Sequence, residues 1–70
     1  MKFLLVMVIC SSTYNSCMPP VEHPTIYPDS YTCLLDGYEK SGSLLITMGQ
    51  QDVNRDGLYI KFDCRLIDNV

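Results

Sequence analysis

The residues of this 70-residue chain best suited to covalent or metal chemistry are its four cysteines, Cys10, Cys17, Cys33 and Cys64. No Cys-x-x-Cys pair is present, so the usual zinc-ribbon and thioredoxin spacings are absent. Four cysteines in so short a chain are typical of a scaffold with two disulfides, and three pairings are possible. If the first apolar segment stays in the folded protein, we expect Cys10–Cys17 and Cys33–Cys64. The alternatives are a thiolate zinc site, with or without His23, and four free thiols in a reducing compartment.

A second candidate site begins at Asp52 and matches the start of a calcium-binding loop. Asp52, Asn54 and Asp56 alternate before Gly57, and Asp63 stands at the twelfth position. Alternating oxygen ligands on a loop bent at glycine suit a hard cation, and the pattern is similar to a dockerin calcium repeat. However, there is one copy, no exiting helix follows, and the next residues alternate as in a strand. The other interpretation is a solvent-exposed turn that leads into this strand.

No other set of residues is typical of an enzyme. A single histidine, without a serine elbow or a Cys-His-Asn set, leaves a nucleophile without a base. No glycine-rich phosphate loop is present. Asp36 and Glu39 would share one helix face, but that spacing is more typical of a solvated surface than of acid–base catalysis. The sequence therefore predicts a protein that is not an enzyme and has no cofactor, with calcium as the alternative.

The composition indicates one small folded domain that spans residues 1–70. Hydrophobic residues make up 47% of the chain and charged residues 19%, which is too apolar for intrinsic disorder. The net charge is -3 and the five basic residues are scattered, so no basic patch could hold phosphates. We therefore expect a protein partner rather than nucleic acid.

Residues 1–16 contain an apolar run, Phe3–Cys10, that follows the single charge of Lys2. The run is too short for a transmembrane span. It is read as a buried strand over residues 3–10, with a cleaved signal peptide or a lipoprotein leader ending at Cys17 as alternatives. The strand is preferred because, without it, the predicted C-terminal strand has no partner in the chain.

All four prolines lie between residues 17 and 29, which predicts an extended connector that is not itself a strand or a helix. A helix is then predicted over residues 30–48, capped by Asp29 or Ser30 and stopped at Gly49. Its expected buried stripe consists of Leu34, Tyr38, Ser41, Leu45 and Met48, widened by Leu35 and Ile46. The alternative is a hairpin with strands at Tyr31–Leu35 and Leu44–Met48.

Residues 58–66 alternate apolar and polar side chains, which predicts a strand with one buried and one wet face. Turn-forming residues precede it at positions 54–57. Residues 30–66 thus form a helix–turn–strand core. The expected fold class is α+β, with the N-terminal strand, the connector, one amphipathic helix and the C-terminal strand, joined by disulfides.

Several short stretches resemble a group of uncharacterised proteins encoded by marine tailed phages. These stretches are Cys17-Met18-Pro19-Pro20, Tyr31-Thr32-Cys33, Gly37-Tyr38, Val53-Asn54 and residues 58–64. The resemblance implies no activity. It favours the helix-then-strand order and an intact apolar N-terminus, and it weakens the calcium prediction.

Two functions follow as expectations. The first is a phage-encoded accessory protein that binds a host or virion protein in the host cytoplasm or virion. Those of its five tyrosines that are exposed are the candidate anchors. The alternative, if residues 1–16 are a cleaved signal, is an exported or surface-tethered disulfide module, with calcium as its possible ligand. The sequence does not indicate the oligomeric state.

Overall fold

The fold is a single antiparallel sheet with helices on one face. A computed structural model describes residues 2–67. Along the chain the elements are β1 (Lys2–Ser11), β2 (Ser16–Cys17), β3 (Val21–Tyr27), α1 (Ser30–Met48), α2 (Gln50–Asp56) and β4 (Leu58–Ile67). The predicted α+β class, both predicted strands and the predicted helix are confirmed.

Strand β1 is the centre of the sheet. It pairs along its whole length with β4, from Lys2 opposite Ile67 to Ser11 opposite Leu58. Its other side pairs with β3 and then with the short β2. Both faces of β1 are largely buried, with Leu5 and Met7 on the helix-covered face and Val6 and Cys10 on the other. The N-terminal run is therefore apolar at successive positions rather than alternating.

The predicted connector over residues 17–29 is extended, but the prediction that it contains no strand is wrong. It holds part of β2 and all of β3, and the ladder with β1 shifts register between Leu4 and Val6. Pro24 lies in the part of β3 that this irregularity spans. Proline cannot donate to a ladder, so it is tolerated on an edge strand at a bulge.

Helix α1 begins and ends as predicted, and the alternative hairpin is wrong. Asp29 caps its first turn, since the backbone N–H of Thr32 donates to Asp29 Oδ1 at 2.9 Å. Gly49 ends it with φ of 91°, and its N–H donates to Leu45 O. Both caps satisfy backbone groups that a helix terminus leaves unpaired.

The predicted buried stripe of α1 is correct for Ser41 and Met48, which are half-buried, and wrong for its other five residues. Cys33 and Gly37 are the buried residues of α1, with Ser41, Leu44 and Met48 half-buried below them. The residues of the predicted stripe that are exposed are Leu34, Leu35, Tyr38, Leu45 and Ile46.

Two contacts with β4 set the rotation of α1. A disulfide joins Cys33 to Cys64, and a Cβ atom at position 37 would collide with the ring of Phe62. Only glycine lets the helix backbone approach this closely. The sheet therefore selects the Cys33–Gly37 face rather than the more apolar face beside it.

The turn predicted at residues 54–57 is instead the end of helix α2. Gly57 takes the left-handed conformation, with φ of 61°. The end of β1 and the loop after it satisfy carbonyls at the end of α2. Ser11 Oγ donates to Asp56 O at 2.6 Å, and the Ser12 N–H donates to O of Gly57, which follows the helix, at 2.9 Å. The loop after the first strand thus positions the start of the last one.

The core lies between α1 and the sheet. Its buried residues are Leu5, Met7, Tyr27 and Cys33, with Phe3, Ile60, Phe62 and Cys64 packed against them. The second disulfide joins Cys10 to Cys17 across the β1–β2 pair. The predicted pairing of the four cysteines is confirmed.

Candidate functional site

An apolar groove lies beside the C-terminal half of α1, on the helix-covered face of the sheet. The N-terminal half of α1 lies against β4, where Cys33 and Gly37 meet Cys64 and Phe62. The C-terminal half leaves the β2–β3 side of this face uncovered. The resulting groove has a volume of about 480 Å³ and is lined by Met7, Ile9, Met18, Pro19, Pro20, Val21, His23 and Leu44.

The floor and walls of the groove come from three parts of the chain. Met7 and Ile9 of β1 form the floor, and Leu44 of α1 forms one wall. The opposite rim contains Met18 and Val21, whose side chains are exposed. The volume lies in the range of pockets that bind small ligands or single side chains of a partner.

The rim is held rigidly although it lies outside the core. The Cys10–Cys17 disulfide fixes its start, and the Met18 N–H donates to Ile9 O at 2.8 Å. Pro19 and Pro20 then restrict the chain to an extended path. A rim built this way loses little conformational entropy when a ligand binds.

One end of the groove is polar. Nε2 of His23 lies 3.0 Å from Sδ of Met7. Beyond it a second depression, of about 320 Å³, adds Lys40, Ser43 and Thr47 to the lining. The combined surface therefore suits a ligand with an apolar part and an adjoining polar or acidic part.

A hydrogen-bonded cluster ties α1 to β3 beside this polar end. The Tyr27 hydroxyl donates to Asp36 Oδ2, and Lys40 Nζ donates to the same oxygen at 2.9 Å. The bond from Lys40, followed by that from Tyr27, lowers the pKa of Asp36. Burial, assisted by the bond to Asp36, raises the pKa of Tyr27 to about 12.

The structure does not bring the calcium candidates together as a loop. Asp52, Asn54 and Asp56 lie on helix α2, and Asp63 lies on β4. Asp52 and Asp56 both pair with Arg55, at 3.1 Å in each case. Within residues 2–67, no group of three acidic, histidine or cysteine side chains is placed to hold a metal ion.

The other candidate residues are also placed. All four cysteines are in disulfides, so no thiolate remains for the zinc alternative. Asp36 binds Tyr27 and Lys40, while Glu39 is exposed. Tyr27 is buried and is therefore not among the candidate anchors. The exposed tyrosines are Tyr14, Tyr31, Tyr38 and Tyr59.

Sequence patterns do not identify the groove, and only His23 is a candidate site residue, for the zinc alternative. The patterns place Met18, Pro19 and Pro20 in an extended connector and leave Leu44 outside the predicted helix stripe. A usable signal was the β-branched and aromatic content of residues 21–27, which favours a strand on either side of Pro24. A strand at residues 21–27 pairs with the N-terminal strand, and this places residues 18–20 beside the helix.

Comparisons of the chain with protein-family models, curated proteins and solved structures find no match. Among residues 2–67, no helix combines the length and the apolar character needed to cross a membrane.

Proposed function

We propose that the protein is a small non-enzymatic interaction protein that binds an extended apolar segment of a partner protein in the groove. The observation that supports this proposal is a surface groove of about 480 Å³ whose lining is almost entirely apolar. An exposed apolar surface of this kind is typical of an interaction site. Its two methionines, Met7 and Met18, are flexible and polarisable, so they adapt to different side chains.

The partner segment is expected to carry an acidic or polar residue after its apolar one. Lys40, Ser43 and Thr47 line the end of the groove beyond His23. The resemblance to phage-encoded proteins makes a host or virion protein the expected source of this segment. Two disulfides in so short a chain favour folding in an oxidising compartment. The alternative with residues 1–16 cleaved would lose Cys10 and strand β1, so these two disulfides do not support it.

The test is selection of binding peptides from a random peptide library with two matched variants. Val21→Lys adds a long charged side chain to the groove rim. Ile46→Lys makes the same change at a residue that is 83% exposed on the far side of α1. Selected peptides should bind the wild type and Ile46→Lys equally. They should bind Val21→Lys at least tenfold more weakly, which corresponds to a loss of about 1.4 kcal/mol in binding free energy.

Methionine methyl NMR signals locate the binding surface independently. Peptide binding should shift the signals of Met7 and Met18 and leave that of Met48, which is outside the groove lining, nearly unchanged. If no peptide is enriched, or if enriched peptides bind Val21→Lys as tightly as wild type, the proposal is wrong.

A further inference from the structure

The outer edge of β4 is an open strand edge. Within residues 2–67, β4 pairs only with β1. It is ten residues long and contains neither proline nor glycine. An edge of this length presents unpaired backbone donors and acceptors that form a template for another strand.

The direction of the backbone groups follows from the ladder. The Ser12 N–H donates to Gly57 O at 2.9 Å, and hydrogen-bonded pairs alternate from that point along an antiparallel pair. Residues 59, 61, 63 and 65 therefore direct their N–H and C=O groups to β1. Residues 58, 60, 62, 64 and 66 direct theirs to the open edge.

The charges on the exposed face of β4 are self-complementary in one register. If two copies pair antiparallel with Phe62 opposite Phe62 of the second copy, Lys61 lies opposite Asp63 of that copy, and Asp63 opposite its Lys61. Tyr59 then lies opposite Arg65, which allows a cation–π contact. Residues 59, 61, 63 and 65 would occupy the non-hydrogen-bonded positions of the β4–β4 pair, where opposite side chains are closest.

The neighbouring registers place like charges together. A two-fold axis at Asp63 sets Asp63 against itself and Lys61 against Arg65. An axis at Lys61 sets Lys61 against itself. Directly opposed like charges destabilise a strand pair, whereas opposite charges stabilise it. An axis at Cys64 sets Asp63 opposite Arg65 but leaves Lys61 opposite the apolar Ile67. The register centred on Phe62 pairs both Lys61 with Asp63 and Tyr59 with Arg65, so the charge pattern favours a second copy of this chain in that register.

Helix α1 has an exposed apolar flank on the same side of the molecule. Tyr38 contacts the ring of Phe62 edge-on, with the ring centroids 4.8 Å apart. It is nevertheless 70% exposed, and Leu34, one turn before it, is 41% exposed.

We propose that the chain forms a two-fold symmetric dimer through the open edge of β4. The two sheets join into one continuous sheet, with the Lys61–Asp63 pairs on one face. On the other face, Phe62, Tyr38 and Leu34 meet their counterparts. The groove lies on the β3 side of each copy, so it stays accessible in the dimer.

The test measures the dissociation constant of the dimer by sedimentation over a wide range of protein concentration. Lys61→Glu and Asp63→Lys each place like charges opposite each other, twice by symmetry. Each should raise the dissociation constant on the order of tenfold. The double variant, Lys61→Glu with Asp63→Lys, restores opposite charges and should return it to near the wild-type value.

Glu22→Lys is the matched control, because it changes the net charge as Asp63→Lys does but lies on β3 at the other edge of the sheet. It should leave the dissociation constant unchanged. A wild-type protein that is monomeric at all concentrations overturns the proposal. The proposal is also overturned if this monomer pairs β4 with a strand of a different protein. A dimer that the single reversals do not weaken, or that the double variant does not restore, overturns the register and with it the proposal.

Discussion

The two edges of the sheet are built differently. The β3 edge is interrupted by a register shift and by Pro24, and the adjoining β2 has only two residues. The β4 edge is regular over ten residues. Interrupted edges are poor templates for another strand, whereas regular edges are good ones. The β3 side thus forms a groove for a side chain or peptide, and the β4 side offers backbone pairing.

Helix α1 contributes a different flank to each side. Towards β3 it presents Asp36, Lys40 and Ser43, and the Tyr27–Asp36–Lys40 cluster holds it there. Towards β4 it presents Leu34 and Tyr38. Polar bonds thus secure the groove side, while a disulfide and aromatic packing secure the strand-pairing side.

Removing each disulfide in turn is expected to give the largest difference in stability between the groove side and the β4 side. Cys33→Ala/Cys64→Ala opens a cross-link between residues 31 apart, and Cys10→Ala/Cys17→Ala one between residues 7 apart. Loop-closure entropy predicts losses of about 4 and about 2.5 kcal/mol in the free energy of unfolding, respectively. Urea denaturation of both double variants measures this; equal losses, or a larger loss for Cys10–Cys17, would contradict the expectation.

Alanine substitutions at the two glycines of α1 distinguish the effect of close packing on stability from the effect of helix propensity. Gly37→Ala forces Phe62 to move and should lower the free energy of unfolding by about 1–3 kcal/mol, as overpacking does. Gly42→Ala meets no atom within 4 Å and should raise it by up to about 1 kcal/mol. Thermal and urea unfolding of the two variants measure both values. If the two substitutions shift stability in the same direction, the close approach of α1 to β4 is not as described.

The Tyr27–Asp36 bond predicts a smaller, pH-dependent effect on the β3 side. The pKa of Tyr27 is raised from 10.0 in the unfolded chain to about 12, so the folded protein holds this proton more tightly. Its contribution to stability is fully present below pH 10 and is lost as the pH rises towards about 12. Denaturation curves across this range should show a decline that Tyr27→Phe lacks.

Asp36→Asn is the control for the cause of that shift. Removing the carboxylate should lower the pKa of Tyr27, but only in part, because burial is the largest cause. The difference in phenolate absorbance between wild type and Tyr27→Phe measures the Tyr27 titration directly. A Tyr27 pKa near 10.0 in the wild type would show that the contact does not hold α1 on β3.

The features of the fold that the sequence predicts correctly are those set by residues close together in the chain. The caps at Asp29 and Gly49 gave the bounds of α1, and period-two alternation gave β4. The cysteine pairing is not a local signal: three pairings are open in the sequence, and the observed one is expected only if the N-terminal strand belongs to the fold. The predictions for residues 52–57 were wrong because they also rested on local residue types. These residues suit a turn or a metal loop, but they equally suit a short helix that ends at glycine.

The sequence by itself determined the α+β class, the apolar N-terminal strand, the alternating C-terminal strand and the end points of the long helix. Only the tertiary structure decided which face of α1 is buried, that residues 21–27 become a strand, and that a groove opens beside Leu44. The physical reason is range. Periodicity and capping act within a few residues, whereas the rotation of α1 depends on Cys64 and Phe62, and β3 depends on its ladder with β1.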